Sequence, residues 1–139
     1  MIRLTILTGS LLLCSALLSC QSYSTGLKQS VDRAQETAAI AALKTISTAQ
    51  QVYSVTNGGA YGTFQQLHQA GYLDEKFNSN TPRINDYEIT MEVGEHGYRI
   101  NADPAGEQSG RHLYLDSTSP LIRVNPTQPA TAKDPLLQP

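Results

Sequence analysis

Three histidines are the side chains of this sequence best suited to bind a metal ion or to transfer protons. They are His68, His96 and His112, and no HxxxH or HExxH spacing connects them. A zinc site usually takes three or four ligands at short, regular spacings. The sequence therefore favours surface or half-buried histidines, and it predicts neither a metal site nor a cofactor.

A second chemistry to consider is nucleophilic hydrolysis by serine, histidine and aspartate. His112 and Asp116 lie four residues apart on a predicted strand, and Ser117 and Ser119 follow. A catalytic triad is defined by its geometry, and the sequence has no GxSxG motif that would position a nucleophile. The sequence thus does not support a triad, although a hydrolase or small-ligand binder using histidine and aspartate remains an alternative.

Paired carboxylates are the remaining candidates for acid–base catalysis. Glu88 and Glu92 are an even number of residues apart on one predicted strand, so both lie on the same face. Apolar residues alternate with them, and this face is therefore the one exposed to solvent. Acid–base catalysis by two carboxylates requires environments that separate their pKa values, and a shared solvent-exposed face does not provide them. We therefore predict a non-enzymatic protein with no catalytic residues.

One of the two cysteines, Cys20, follows an apolar run near the N-terminus. Arg3 precedes an apolar run over residues 4–18. Ser19 and Cys20 follow this run and complete the motif Leu17-Leu18-Ser19-Cys20. This run has the parts of an export signal and is shorter than the roughly 20 residues that a membrane-spanning helix needs. The motif resembles the lipobox of bacterial lipoproteins, in which the cysteine is acylated. That resemblance implies a signal peptide over residues 1–19 and lipidation of Cys20; an ordinary cleaved signal and an uncleaved anchor are the alternatives.

The lipobox resemblance also implies a location and a first partner. It places the chain in the bacterial cell envelope, anchored by Cys20 in the lipid bilayer of the outer membrane or of the periplasmic face of the inner membrane. Cys14 would leave with the signal peptide, so the mature chain would have neither a free thiol nor a disulfide. The formal net charge is −2 and no basic patch stands out, which argues against nucleic acid as a partner.

The remaining sequence predicts one α+β domain over residues 30–124, preceded by a polar tether over residues 20–29. Apolar residues recur at three- and four-residue spacing from Ala39 to Tyr53. This pattern predicts an amphipathic helix of about 25 residues, beginning at Ser30, that packs on the sheet. Its polar side is predicted to carry Lys44, Ser47, Thr48 and Gln51.

Shorter patterns predict a second helix and a small antiparallel sheet of about four strands. Thr63-Phe64-Gln65-Gln66 is a capping-box sequence that opens a helix ending at Gly71. Alternating residues on either side of a turn at residues 94–97 predict a hairpin. Residues 111–116 and 121–124 would form two more strands.

The end of the sequence differs in composition from the domain. Residues 125–139 contain four prolines and few residues that could be buried. A segment of this composition cannot bury enough apolar surface to offset the entropy lost on ordering. We therefore predict a Pro-rich disordered tail over residues 125–139.

Several short motifs resemble the globular domain of type IV pilin-like proteins, which include the pseudopilins. They follow the order of that family over residues 36–124. The motifs are Ala42-Leu43-Lys44-Thr45-Ile46, Thr48-Ala49-Gln50, Tyr53, Gly59-Ala60-Tyr61-Gly62-Thr63-Phe64, Leu67 and Ala70-Gly71-Tyr72-Leu73-Asp74, followed by Tyr87, Gly97-Tyr98, Arg111, Tyr114, Asp116 and Ile122-Arg123. The resemblance implies a pilin-like roll in which the long helix packs on the sheet.

One departure from the pilin pattern bears on function. A prepilin carries a glycine–aromatic cleavage motif and a glutamate within a long apolar N-terminal helix, and this sequence has neither. The combined resemblances imply a pilin-like domain on a lipid anchor, acting as a structural or interaction module through the sheet edge and exposed tyrosines. The alternative is an accessory component of a type IV pilus or a type II secretion system, with envelope, pilus or secretion proteins as partners.

Overall fold

The computed structural model describes residues 19–106 and 110–139 of the chain. The predicted signal peptide, apart from Ser19, lies outside these residues, and of Cys20 only the helical backbone is described. The chain divides into two compact units, residues 1–30 and 31–139. The second unit contains the whole sheet, and the packing described below is that of this unit.

The long helix α1 runs from Ser19 to Thr56. It begins at Ser19 rather than at Ser30, so the predicted polar tether over residues 20–29 is helical. No proline interrupts those residues, and extending an existing helix is easier than nucleating a new one. After Thr56 the chain turns through Gly58 and Gly59, which both have positive φ angles. Glycine adopts this left-handed conformation without a steric penalty, so these two residues can end the helix.

The apolar stripe of α1 is buried as predicted. It contributes Ala39, Ala42, Leu43, Ile46 and Ala49 to the core. Lys44, Thr48 and Gln51 are exposed as expected, but the prediction for Ser47 is wrong because its side chain is buried. Ser47 follows Leu43 by one helical turn and therefore lies on the buried side. Its Oγ hydrogen-bonds the hydroxyl of Tyr98 at 3.0 Å, which satisfies both buried groups.

Five antiparallel strands form one sheet in the order β1-β2-β3-β4-β5. The strands are β1 Arg83–Ile84, β2 Tyr87–Gly94, β3 Gly97–Pro104, β4 His112–Asp116 and β5 Ser119–Asn125. The predicted α+β class is confirmed, and the predicted count of about four strands is corrected to five. The strand that the sequence does not predict is β1, because two residues are too few to show the alternation of a strand.

One side of the sheet and the two helices share a single core. The short helix α2 runs from Phe64 to Gln69 and buries Phe64 and Leu67. Its capping box is present as predicted: Thr63 Oγ1 accepts from the Gln66 N–H at 3.3 Å, and Gln66 Oε1 accepts from the Thr63 N–H at 2.8 Å. The core contains Ile89, Ile100, Leu113 and Leu115 from the sheet.

The C-terminal segment lies on the sheet. The N–H of Val124 donates to the carbonyl of Pro135 at 2.9 Å, and the N–H of Leu137 donates to the carbonyl of Ile122 at 2.8 Å. Ala130 is buried. The prediction of a disordered tail over residues 125–139 does not match this arrangement. Composition alone predicts too little order for this segment, because its hydrogen-bond partners are backbone groups of the sheet and lie outside the segment.

The buried amide of Gln50 joins α1 to the loop that precedes α2. Gln50 is 0 % exposed to solvent. The Gln50 Nε2 donates to the carbonyl of Gly62 at 2.7 Å, and the Oε1 accepts from the Gly62 N–H at 2.9 Å. The same Nε2 lies 3.2 Å from the sulfur of Met91 in β2. One side chain therefore satisfies both backbone groups of a buried loop residue.

Replacing Gln50 should destabilise the domain strongly. We expect Gln50→Ala to lower the free energy of unfolding by about 2–4 kcal/mol, because two buried backbone groups of Gly62 lose their partner. Urea denaturation measures this loss. The control is Gln51→Ala, at the exposed neighbouring position, which should change the same free energy by less than about 0.5 kcal/mol. Equal losses in the two variants would contradict the role assigned to Gln50.

Candidate functional site

The outer edge of β5 is closed by the C-terminal segment. The segment bonds to the backbone of β5 on both sides of the antiparallel bridge between Arg123 and Leu136. It also crosses the outer face of the sheet, where Asn101 of β3 donates to the carbonyl of Ala130 at 2.8 Å. Covering an edge in this way prevents it from pairing with another chain.

Asp134 is the polar centre that holds this segment. Its Oδ1 accepts from the Asn125 amide at 2.9 Å, and its Oδ2 accepts from the N–H and hydroxyl of Thr131 at 2.7 and 2.9 Å. Its carbonyl accepts from Arg123 at 2.8 Å. The hydrogen bond from Asn125, followed by those from Thr131, holds the pKa of the Asp134 carboxyl below its ordinary value.

The opposite edge, formed by β2, is covered only at its beginning. The two residues of β1 pair with Tyr87 and Glu88. One more hydrogen bond follows, from the N–H of Ile89 to the carbonyl of Pro82 at 2.8 Å. Proline has no N–H with which to extend a ladder, and the pairing ends there. Beyond Ile89 this edge of the sheet has no strand beside it in the described part of the chain.

Backbone groups of Met91 and Val93 lie along this uncovered edge. Ile89 directs its N–H outward, and in an antiparallel strand every second residue directs its backbone groups to the same side. Met91 and Val93 therefore direct theirs away from β3. Their side chains line a cavity of about 330 Å³. The other lining residues are Thr63, Phe64, Gln65 and Asn80.

The outer face of β2 is acidic. Glu88 and Glu92 are both exposed, as the alternation predicted. Arg83 of β1 is the register partner of Glu88. Arg99 of β3 contacts Oε2 of Glu92, yet the Glu92 side chain remains 70 % exposed. The uncovered edge thus has an apolar inner side and an acidic outer side.

The tyrosines do not form the predicted exposed contact surface. From residue 26 onward none of them is exposed: Tyr87, Tyr98 and Tyr114 are buried, and the other three are half-buried. Tyr87 donates to the carbonyl of Arg111 at 3.0 Å. Burial, and then the nearby Glu36 carboxylate, raise the pKa of Tyr87 to about 12, so its hydroxyl stays protonated and acts as a hydrogen-bond donor.

The three candidate histidines have separate surroundings. His68 contacts the carbonyl of Leu73 and the carboxylate of Glu75, each at 3.0 Å. His96 is exposed in the hairpin turn. His112 Nδ1 lies 2.5 Å from the Asp103 carboxylate across β3 and β4. The structure does not bring these side chains into one site, and no group of three metal-ligating side chains occurs among residues 19–106 and 110–139.

The residues considered for a catalytic triad are also separated. Asp116 accepts from the Thr118 N–H at 2.8 Å and from the Tyr114 hydroxyl at 2.9 Å, whereas His112 pairs with Asp103. The hydroxyl of Ser117 accepts from the Tyr98 N–H at 3.3 Å. Each group therefore has a partner within the sheet and its turns. The hydroxyl of Ser119, the other serine considered, accepts from the Leu121 N–H at 3.2 Å, so neither candidate serine is paired with His112 as a triad requires.

Three contacts between distant segments were not predicted from the sequence patterns. Gln50 was not recognised, although it lies one helical turn after Ile46 on the apolar stripe, and that position was the signal. Asp134 was missed because its partners become neighbours only when the tail folds back. The ion pair between Glu36 and Arg111, with a Nε–Oε2 distance of 3.1 Å, joins residues far apart in sequence.

Comparisons with known proteins add no identification. No protein-family model, curated protein or solved structure matches this chain. The resemblances to pilin-like domains and to lipoprotein signals therefore stay predictions. None of the helices in the described residues is long and apolar enough to cross a membrane.

Removing the carboxylate of Asp134 should loosen the C-terminal segment. We expect Asp134→Asn to speed hydrogen exchange at the amides of Val124 and Leu137, because the substitution removes the charged acceptor of Asn125 and Thr131. Lys133→Ala, one residue away, is the control and should leave both rates near those of the unaltered chain. Unchanged exchange in Asp134→Asn would contradict this role of the carboxylate.

The contribution of Asp134 should depend on pH. A carboxyl group whose folded pKa is lowered stabilises the fold above its unfolded pKa, here 3.8, and this stabilisation is lost as the pH falls through the lowered folded value. An NMR titration of the Leu137 amide should therefore show release of the segment only below pH 3.8. Release at a higher pH would point to a different group.

Proposed function

We propose that this chain is a lipid-anchored, non-enzymatic interaction module of the bacterial cell envelope. The observation that supports this function is the difference between the two sheet edges. The edge at β5 is closed by the C-terminal segment, whereas no strand within residues 19–106 and 110–139 lies beside β2 beyond Ile89. Proteins usually protect their sheet edges against pairing, so an edge left open beside a lined cavity is a suitable contact surface.

The state of the titratable groups supports a binding role rather than catalysis. His68, Asp116 and His112 are engaged in separate contacts with neighbouring groups. The pKa of Tyr87 is raised to about 12, chiefly by burial, and so lies far from neutrality. A catalytic acid or base is more effective with a pKa near the working pH.

The architecture supports a pilin-like body. The apolar stripe of α1 shares a core with an antiparallel sheet, and a glycine-containing loop joins α1 to the capped helix α2. Residues 21–29 are mostly polar, whereas the resemblance would require an apolar stalk with a glutamate ahead of a pilin domain. The proposed role is therefore presentation of the domain at a membrane surface rather than polymerisation through a stalk.

The lipid anchor is proposed from Leu17-Leu18-Ser19-Cys20. Each buried methylene of an acyl chain contributes about 0.8 kcal/mol, and stable attachment needs more than one chain. The resemblance to bacterial lipoproteins implies that Cys20 carries two or three acyl chains.

Substitution of the two cysteines tests the anchor. We expect Cys20→Ser to move the protein from the membrane fraction to the soluble fraction, and intact-mass analysis of the unaltered protein should show a chain that begins at an acylated Cys20. Cys14→Ser is the matched control because Cys14 lies within the predicted signal peptide. It should leave both the mature mass and the membrane attachment unchanged.

Two outcomes would refute the anchor. Membrane attachment that survives Cys20→Ser would indicate an uncleaved N-terminal anchor. An unmodified mature chain that begins at another residue would indicate an ordinary cleaved signal. Either result would refute the lipid anchor on Cys20. The second result would also remove the attachment to a membrane that the proposed function includes.

A further inference from the structure

The uncovered part of β2 has the backbone groups needed to bind another strand. Met91 and Val93 each direct an N–H and a C=O outward, on the same side as the Ile89 N–H that bonds to Pro82. In the described residues β1 ends its pairing before it reaches them. An extended segment placed beside these two residues could form as many as four backbone hydrogen bonds.

The space beside this edge suits apolar side chains on one side of such a segment. Met91 and Val93 line the cavity of about 330 Å³ together with Phe64 of α2. Val93 is 36 % exposed and is one of the residues that line this space. Covering its side chain would remove apolar surface from water, which favours association.

The opposite side of the edge suits basic side chains. Within the chain, β1 already places Arg83 beside Glu88 on this outer face. Glu92 lies farther along the same face and is largely exposed, although Arg99 contacts one of its oxygens. Opposite charges at neighbouring cross-strand positions stabilise a sheet, and like charges destabilise it. A segment that continues the pattern of β1 would therefore place a lysine or arginine near Glu92.

We infer that the edge of β2 at Met91 and Val93 binds an extended segment of a partner protein in which apolar and basic residues alternate. The apolar residues would lie over Val93 and Phe64, and the basic residues would lie beside Glu92. This inference rests on the proposed function, since it names the class of partner that the interaction module would take. Such a segment would pair with the part of β2 that the two-residue strand β1 does not reach.

The test uses the full chain and synthetic peptides of about seven residues, enough to span the uncovered edge at about 3.3 Å per residue. The first peptide alternates valine and lysine, the second alternates valine and glutamate, and the third is the lysine peptide with N-methylated backbone amides. Fluorescence anisotropy measures their affinities. The lysine peptide should bind about tenfold more tightly than the glutamate peptide, because its charges oppose those of the outer face.

The N-methylated peptide separates strand pairing from charge alone. It keeps every positive charge but cannot donate backbone hydrogen bonds, so it should bind weakly. Hydrogen exchange should show that the lysine peptide protects the amides of Met91 and Val93. Equal binding of the methylated peptide, or protection at another site, would overturn the proposal.

Matched variants locate the interaction. Val93→Lys should weaken binding of the lysine peptide, whereas Leu121→Lys, at an exposed apolar residue of β5, should not. Glu92→Lys should reverse the preference between the lysine and glutamate peptides. Asp74→Lys makes the same charge change at another exposed site and should preserve the preference. Unchanged circular dichroism and melting temperature establish that each variant is folded.

The remaining outcomes distinguish this proposal from the proposed function. Chains that dimerise with Met91 and Val93 protected before any peptide is added would identify a second copy as the occupant and overturn a heterologous partner. Failure of every peptide to bind, with Cys20 acylated, would refute this inference and leave the proposed function standing. An unmodified Cys20 would refute the anchor whatever the peptides do.

Discussion

The amide of Gln50 fixes the loop on which the uncovered edge depends. By bonding to both backbone groups of Gly62, it holds the chain that leaves α1 against the interior. The next residue, Thr63, caps α2, and Phe64 of that helix lines the cavity beside Met91. The position of one buried amide therefore sets the position of one wall of the candidate binding site.

The two edges of the sheet illustrate different uses of the same backbone chemistry. At β5 the chain folds back on itself, and the Asp134 carboxylate accepts hydrogen bonds from Asn125 of β5 and from Thr131 of the returning segment. At β2 the two-residue strand β1 leaves the pairing incomplete after Pro82. A sheet closed at both edges would have no backbone groups with which to bind a partner. A sheet open at both would be prone to uncontrolled pairing.

The sequence predicted the elements whose patterns are long and local. The stripe of α1, the capping box at Thr63 and the hairpin around residues 94–97 all have periodic or motif signals. The sequence did not predict β1, because a strand of two residues is too short to show alternating burial. It also misplaced Ser47, since its polarity suggested the exposed side of α1. The edge site depends on contacts between distant segments, and local patterns do not specify such contacts.

The covering of β5 by the last residues of the chain has a consequence for the order of folding. Synthesis proceeds from the N-terminus, so β5 is complete before the residues around Pro135 and Leu137 that bond to it have been made. Closure of this edge therefore follows the synthesis of β5 and cannot precede it. Incomplete chains, and chains cut near their end, would carry a second open edge that the finished protein lacks.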